Sequence, residues 1–99
     1  MAEPGKLDEG LNAVLRRHAR QRVLTRGEAL YGRGSPPDAL FCVERGIIRL
    51  SVTSHAGREA VLGLVTAGHW FGEASLFTRE PRGNDAIAVV ESAVLIVPA

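Results

Sequence analysis

The stretch HWFGEASLFTREPR, residues 69–82, decides the fold prediction. A predicted strand ends near Phe71, and Gly72 then permits a tight turn of the backbone. The segment 73–77 has the composition of one helical turn. Because the N–H groups of a first helical turn have no partner within the helix, they form a site for an anion, above all a phosphate. The stretch therefore predicts a strand, a sharp turn and a short helix that can hold an anion.

Three side chains of this stretch suit a sugar phosphate. Ser75 offers a hydroxyl donor, and Arg82 offers a planar fork that matches phosphate oxygens. Glu73 can accept a hydrogen bond from a sugar hydroxyl, as acidic residues do in dinucleotide sites. Glu73 can equally pair with Arg82, an arrangement that needs no ligand. The chemistry indicates recognition of a ribose and a phosphate, and the ion pair remains the alternative.

On both sides of this stretch, short runs of β-forming residues alternate with turn residues. Seven strands are predicted, at residues 22–24, 29–31, 39–44, 47–52, 59–65, 86–90 and 93–97. Gly46, Gly57 and Gly68 recur at intervals of eleven residues, the spacing of successive hairpins. The pattern favours a mainly β fold, a jelly roll or double-stranded β-helix. The expected core includes six aliphatic residues: Ile48, Leu50, Leu62, Leu64, Ile87 and Leu95.

A helix is predicted before the strands. Apolar positions recur with helical spacing and form one stripe, at Leu7, Leu11, Val14, Leu15 and His18. After Gln21 the period changes to about two. The fold is therefore expected to begin with one helix, followed by the β-roll and its short helical turn near 73–77.

Composition narrows the class of protein. A chain of 99 residues supports one small domain, expected to span 1–99. No apolar run approaches a membrane span, and no secretory signal begins the chain, so no membrane contact is expected. The single cysteine, Cys42, excludes a disulfide framework and fits a reducing cytoplasm, where the chain is expected to reside.

Net charge and side-chain chemistry argue against a DNA-binding domain and against an enzyme. Basic residues concentrate between residues 16 and 26, but the net charge is only +1, too low for a domain that binds DNA by itself. The sequence contains no recognisable nucleophile–base pair, paired carboxylates or metal-ligand cluster. No catalytic residue, no metal site and no enzyme activity are therefore predicted.

The motif residues resemble those of a known family. The run Phe71-Gly72-Glu73-Ala74-Ser75-Leu76, followed by Pro81-Arg82, resembles the phosphate-binding cassette of cyclic-nucleotide-binding domains. Upstream residues agree with that family in order and spacing: Gly27, Leu30, Tyr31, Gly34, Asp38, Leu40, Phe41, Val43, Gly46, Ile48, Arg49, Leu50, Gly57, Arg58, Glu59 and Gly68. The resemblance covers roughly residues 7–98 and is strongest to the Crp/Fnr transcription regulators.

The resemblance implies a role for each matched residue. Gly72 and Glu73 correspond to the ribose side of the family's site, Ala74 and Ser75 to its phosphate-binding turn, and Arg82 to its phosphate arginine. The implied ligand is cyclic AMP or cyclic GMP, and otherwise an effector that the sequence does not identify.

One departure from the family follows Arg82. Nucleotide binders usually continue with a small hydroxyl or alanine pair, whereas this chain has Gly83-Asn84-Asp85. If the Asp85 carboxylate faced the site, it would repel an anion.

The expected function is that of an effector-sensing domain of a Crp/Fnr-type regulator. The dimerisation helix and the helix-turn-helix domain of such regulators are expected to lie outside residues 1–99, so the resemblance implies DNA contact only through that missing C-terminal part. The full-length protein is expected to be a homodimer. Two alternatives stay open: a cyclic-nucleotide regulatory domain of a kinase, a channel or another enzyme, and a degenerate β-roll that binds no small molecule.

Overall fold

The structure, a computed structural model, describes residues 9–72 and 78–98. Within these ranges one helix, α1 (Glu9–Arg17), precedes eight strands. The strands are β1 (Arg20–Leu24), β2 (Ala29–Tyr31), β3 (Ala39–Arg45), β4 (Ile47–Thr53), β5 (Glu59–Thr66), β6 (Trp70–Phe71), β7 (Asp85–Ala88) and β8 (Ser92–Pro98). All seven predicted strands are confirmed to within two residues at each end. The helical turn predicted near 73–77 lies outside the described residues.

The strands form two antiparallel sheets of four strands each. The first sheet has the order β1-β8-β3-β6 and the second has the order β2-β7-β4-β5. Strands far apart in the sequence are neighbours: β1 pairs with β8, and β2 pairs with β7. This nesting of early strands against late ones is the jelly-roll arrangement, so the predicted fold class is confirmed.

The core lies between the two sheets. Its largest fully buried side chains are Leu24, Val43, Ile48 and Val94, and Phe41 and Phe71 pack with them. Of the predicted core residues, Ile48 is fully buried, whereas Leu50 and Ile87 are half-buried.

Two predicted core residues are wrong: Leu62 and Leu64 on β5 are 62% and 60% exposed. Val65 lies opposite Ile48 and packs against the core, so its neighbour Leu64 must face outward. A register shift then places Leu50 opposite Gly63 and Ser51 opposite Val61, which leaves Leu62 as the extra residue of a bulge. In the run 61–65, apolar residues occur at both odd and even positions and so on both faces of the strand. The pattern therefore did not indicate which side chains face the core.

A second cluster lies outside the main core, formed by Cys42, Trp70 and Leu95. Leu95, expected in the core, is buried here instead, at 7% exposure. Leu15 of α1 packs against this cluster, and Trp70 Nε1 donates a hydrogen bond to Asn12 Oδ1 of the same helix at 3.0 Å. Burial raises the pKa of the Cys42 thiol. The cluster therefore attaches α1 to the outer face of the first sheet.

The helix itself buries less than its apolar stripe predicted. No residue of α1 is fully buried, and Leu11 and Val14 are 47% and 40% exposed. No helix among the described residues is long and apolar enough to cross a membrane.

Candidate functional site

The centre of the candidate site is the side chain of Arg82, which is 3% exposed. Its Nη1 donates to the Gly72 carbonyl at 2.6 Å, and its Nη2 donates to the Ala39 carbonyl at 2.5 Å. The guanidinium carbon lies 4.8 Å from the ring centroid of Tyr31 and 5.1 Å from that of Phe41. Both distances fall within the range of cation–π attraction. Arg82 is therefore held by two carbonyls and two aromatic rings.

Within residues 9–72 and 78–98, the positive charge of Arg82 is only partly compensated. Its Nε is buried and has no hydrogen-bond partner. No carboxylate of residues 9–72 and 78–98 forms an ion pair with it. A buried cation without a counter-charge is costly, and carbonyl dipoles and ring faces offset only part of that cost. An anion placed against this guanidinium would therefore be stabilised.

The backbone around Arg82 is fixed by the loop between β2 and β3. The Arg82 N–H donates to the Ser35 carbonyl at 2.9 Å, and the Gly34 N–H donates to the Arg82 carbonyl at 2.7 Å. The rings beneath the side chain also support one another, since Phe41 lies 5.4 Å from both Tyr31 and Phe71, between ring centroids. These contacts let the domain hold the guanidinium in one place.

Gly72 has a steric role that the sequence did not reveal. It follows β6 with φ +91°, a conformation that favours glycine. A Cβ at this position would lie 2.9 Å from Arg82 Nη1 and 3.0 Å from Phe41 Cδ2. Gly72 thus provides both a left-handed backbone conformation and the space that Arg82 occupies.

The structure brings two of the five predicted site residues together, Gly72 and Arg82. The other three, Glu73, Ala74 and Ser75, lie outside the described residues. The sequence pattern did not indicate a site role for Tyr31, Phe41 or the Ala39 carbonyl. A signal existed for the two aromatic residues, because both belong to the pattern shared with cyclic-nucleotide-binding domains, but their contact with Arg82 depends on strand pairing.

The carboxylate of Asp85 contacts the loop between β2 and β3. Its Oδ1 accepts a hydrogen bond from the Arg33 backbone N–H at 2.7 Å. Asp85 forms no ion pair with Arg82. Asp85, where the chain departs from the family pattern, therefore stabilises the loop between β2 and β3.

Comparison with known proteins identifies the family. The protein-family model described as "Cyclic nucleotide-binding domain" matches residues 21–99. The chain belongs to this family. The resemblance noted in the sequence is confirmed. Arg82, which packs on two aromatic rings, lies in a cyclic nucleotide-binding domain.

Curated relatives of this cyclic nucleotide-binding domain include a cyclic AMP receptor and a transcriptional regulator. The chain is 33% identical over 75 residues to the "Cyclic AMP receptor protein" of Thermus thermophilus, covering 76% of this chain and 35% of that protein. It is 30% identical over 66 residues to the "CRP-like cAMP-activated global transcriptional regulator" of Mycobacterium tuberculosis, covering 67% of this chain and 30% of that protein. The chain therefore spans about a third of the length of these relatives.

Solved structures support the same grouping. The N-terminal domain of a transcriptional regulator from Streptomyces coelicolor is 36% identical, with a TM-score of 0.81, and the match covers 93% of this chain and 66% of that one. The catabolite activator protein of Thermus thermophilus is 28% identical, with a TM-score of 0.81, covering 93% and 43%. The EAL enzyme Bd1971 in its cAMP-bound form shares the fold, at 20% identity and a TM-score of 0.74 over 80% of this chain and 21% of that one.

Gly72→Ala is expected to destabilise the cyclic nucleotide-binding domain and displace Arg82. The left-handed conformation costs an alanine about 1–2 kcal/mol, and the new methyl group also presses on the guanidinium and the Phe41 ring. Urea denaturation measures the change in the free energy of unfolding. Gly68→Ala is the matched control, because Gly68 has φ +87° and no atom within 4 Å of its added Cβ. Equal losses in the two variants would show that the contact with Arg82 has no steric importance.

Proposed function

We propose that this domain binds a cyclic nucleotide, cyclic AMP or cyclic GMP, with the ligand phosphate against Arg82. The observation that carries the proposal is the guanidinium of Arg82, 3% exposed, with an unpartnered Nε and no ion pair to a carboxylate of the described residues. A phosphate would supply the missing counter-charge and accept charge-assisted hydrogen bonds. The family to which the chain belongs supports the choice of a cyclic nucleotide over other anions.

The remaining contacts of the proposed ligand involve the stretch after Gly72. In this proposal the phosphate lies on the turn of Ala74 and Ser75, and Glu73 accepts a hydrogen bond from the ribose hydroxyl. The position of Gly72 supports it, because Gly72 contacts Arg82 directly and the three residues follow it in the chain. In this proposal Arg82 supplies the positive charge that attracts the phosphate, and residues 73–75 orient the nucleotide.

At the level of the whole protein, we propose an effector-sensing domain of a Crp-type transcription regulator. The curated relatives support this, since two of them are named as a cyclic AMP receptor and a cAMP-activated regulator. Ligand binding would shift a two-state equilibrium that a downstream DNA-binding domain reads. The proposal includes a homodimeric full-length protein in the cytoplasm, DNA contact only through that downstream domain, and no enzyme activity in this domain.

A second candidate function has its own support in the structure. Arg82 already donates to the carbonyls of Gly72 and Ala39 and lies over two rings. A guanidinium with these partners can serve as a structural brace that connects β2, β3 and the residue after β6. In that case the domain is a degenerate β-roll, used as an interaction module without a small molecule.

Titration calorimetry separates the two candidates. The 99-residue chain is titrated with cyclic AMP, with cyclic GMP and with linear 5′-AMP as the matched control. The proposal expects saturable binding of at least one cyclic nucleotide, tighter than that of 5′-AMP and weaker at higher salt. The absence of heat with either cyclic nucleotide at millimolar concentration would contradict it and favour the structural brace.

A further inference from the structure

A cavity of about 380 Å³ opens at one edge of the β-sandwich, next to the rings of Tyr31 and Phe41 that also contact Arg82. It lies where β1, an outer strand of the first sheet, and β2, an outer strand of the second sheet, end their sheets without pairing to each other. Residues of β3, β8 and the loop between β2 and β3 complete its lining, with the exposed Asp38 as its one acidic side chain, and Arg82 does not line it. The volume falls within the range of small-molecule pockets.

The floor of this cavity, which we call the β1–β2 cavity, is apolar and aromatic. Leu30, Phe41 and Ile96 are buried members of the main core, and Tyr31 packs against that core. Such a floor offers van der Waals contact to an apolar or aromatic body.

Two arginines of β1 line the same cavity. Arg20 lies opposite Ile96, and Arg22 lies opposite Val94 on β8. Since directly opposed residues of antiparallel strands share a face, and both partners belong to the core, the two arginines lie on the core-facing side of the sheet. Arg20 nevertheless remains exposed and Arg22 is half-buried, because β1 lies at the edge of its sheet.

The two arginines differ in their partners. Arg22 Nη2 pairs with Glu28 Oε2 at 3.2 Å. Arg20 has no ion pair or side-chain hydrogen bond within the two described ranges. One uncompensated guanidinium therefore lies at the rim of a cavity with an aromatic floor.

We propose that the β1–β2 cavity binds a small organic carboxylate with an aromatic or apolar body. The carboxylate pairs with the Arg20 guanidinium, whose fork matches its two oxygens. The body of the ligand packs on Leu30, Tyr31 and Phe41. This site is separate from the proposed cyclic-nucleotide site, although the rings of Tyr31 and Phe41 border both.

The probe for this site is 3-phenylpropanoate, followed by amide chemical shifts of the ¹⁵N-labelled chain. Saturable shifts are expected at residues that line the cavity, such as Leu30, Ser35 and Ala39. The neutral 3-phenylpropanamide is the matched ligand control, and it is expected to bind roughly 2- to 5-fold more weakly, as suits a solvated charge contact.

Arg20→Ala is expected to weaken binding of 3-phenylpropanoate by the same factor and to leave binding of the amide unchanged. Arg26→Ala is the control, because it removes the same charge from an exposed turn that does not line the cavity. The amide spectrum of each variant verifies its fold before titration.

Three results would overturn the proposal: no saturable shift at millimolar probe, equal binding of the acid and the amide, or equal loss in Arg20→Ala and Arg26→Ala. Self-association of Arg20→Ala without any probe binding in the parent chain would also overturn it. That result would indicate that Arg20 prevents β1, an edge strand, from pairing with a strand of another chain. No nucleotide is present in these titrations, so their failure is independent of the proposed function.

Discussion

Replacement of Gly46 by alanine is expected to lower the free energy of unfolding by about 2–5 kcal/mol, the sum of left-handed backbone strain and overpacking. Gly46 joins β3 to β4 with φ +94°. An added Cβ would lie 2.1 Å from Ser92 Oγ and 2.7 Å from Ser92 Cα. A real Cβ cannot approach a backbone atom so closely. Either the turn between β3 and β4 or the start of β8 must therefore move.

Ser92 cannot easily yield to this methyl group. It is fully buried, its Oγ accepts the Ile47 N–H at 3.1 Å, and it donates to the Val90 carbonyl at 2.8 Å. Ser92 also begins β8, which lies between β1 and β3 in the first sheet. Moving it disturbs the pairing of three strands, so the expected loss exceeds that of an ordinary turn glycine.

Urea denaturation of Gly46→Ala and Gly57→Ala tests this prediction. Gly57 lies in the turn between β4 and β5 with φ +82°, and nothing lies within 4 Å of its added Cβ. Gly57→Ala should therefore lose only the conformational part, about 1–2 kcal/mol. Losses of the same size in both variants would mean that the contact with Ser92 adds nothing.

Replacement of Arg82 by alanine is expected to weaken cyclic-nucleotide binding by about 10- to 150-fold, which corresponds to roughly 1.5–3 kcal/mol for a charge-assisted contact. The variant should also unfold more easily, because the Gly72 and Ala39 carbonyls lose their donors and two rings lose their cation. Calorimetry measures the first effect and urea denaturation the second.

Two further variants make this prediction specific. Arg82→Lys should recover only part of the affinity, because an ammonium cannot reproduce the planar fork that reaches Gly72, Ala39 and a phosphate together. Arg79→Ala is the charge-matched control, since Arg79 is exposed and three residues away. Wild-type affinity in Arg82→Ala would locate the ligand elsewhere, and equal weakening by Arg79→Ala would indicate long-range attraction without a contact.

The strand boundaries were determined by the sequence alone. Alternating β-forming runs and the turn glycines, Gly46 and Gly57 among them, act locally, through side-chain period and backbone conformation. The family was readable for the same reason, because its motif around Gly72 and Arg82 is short and continuous. The sequence did not indicate which side chains of 61–65 face the core, because both faces of β5 carry apolar residues: Val61, Leu62, Leu64 and Val65.

Tertiary structure alone decided how Arg82 is held. Its ring partners come from β2 and β3, and its carbonyl partners from Ala39 and Gly72, at sequence distances that no local pattern connects. The pairing of β3 with β6 and of β2 with β7 brings these groups around one guanidinium. The sequence alone determined the residue types suited to bind a phosphate, whereas burial and the loss of solvent around Arg82 arise only when the two sheets close on each other.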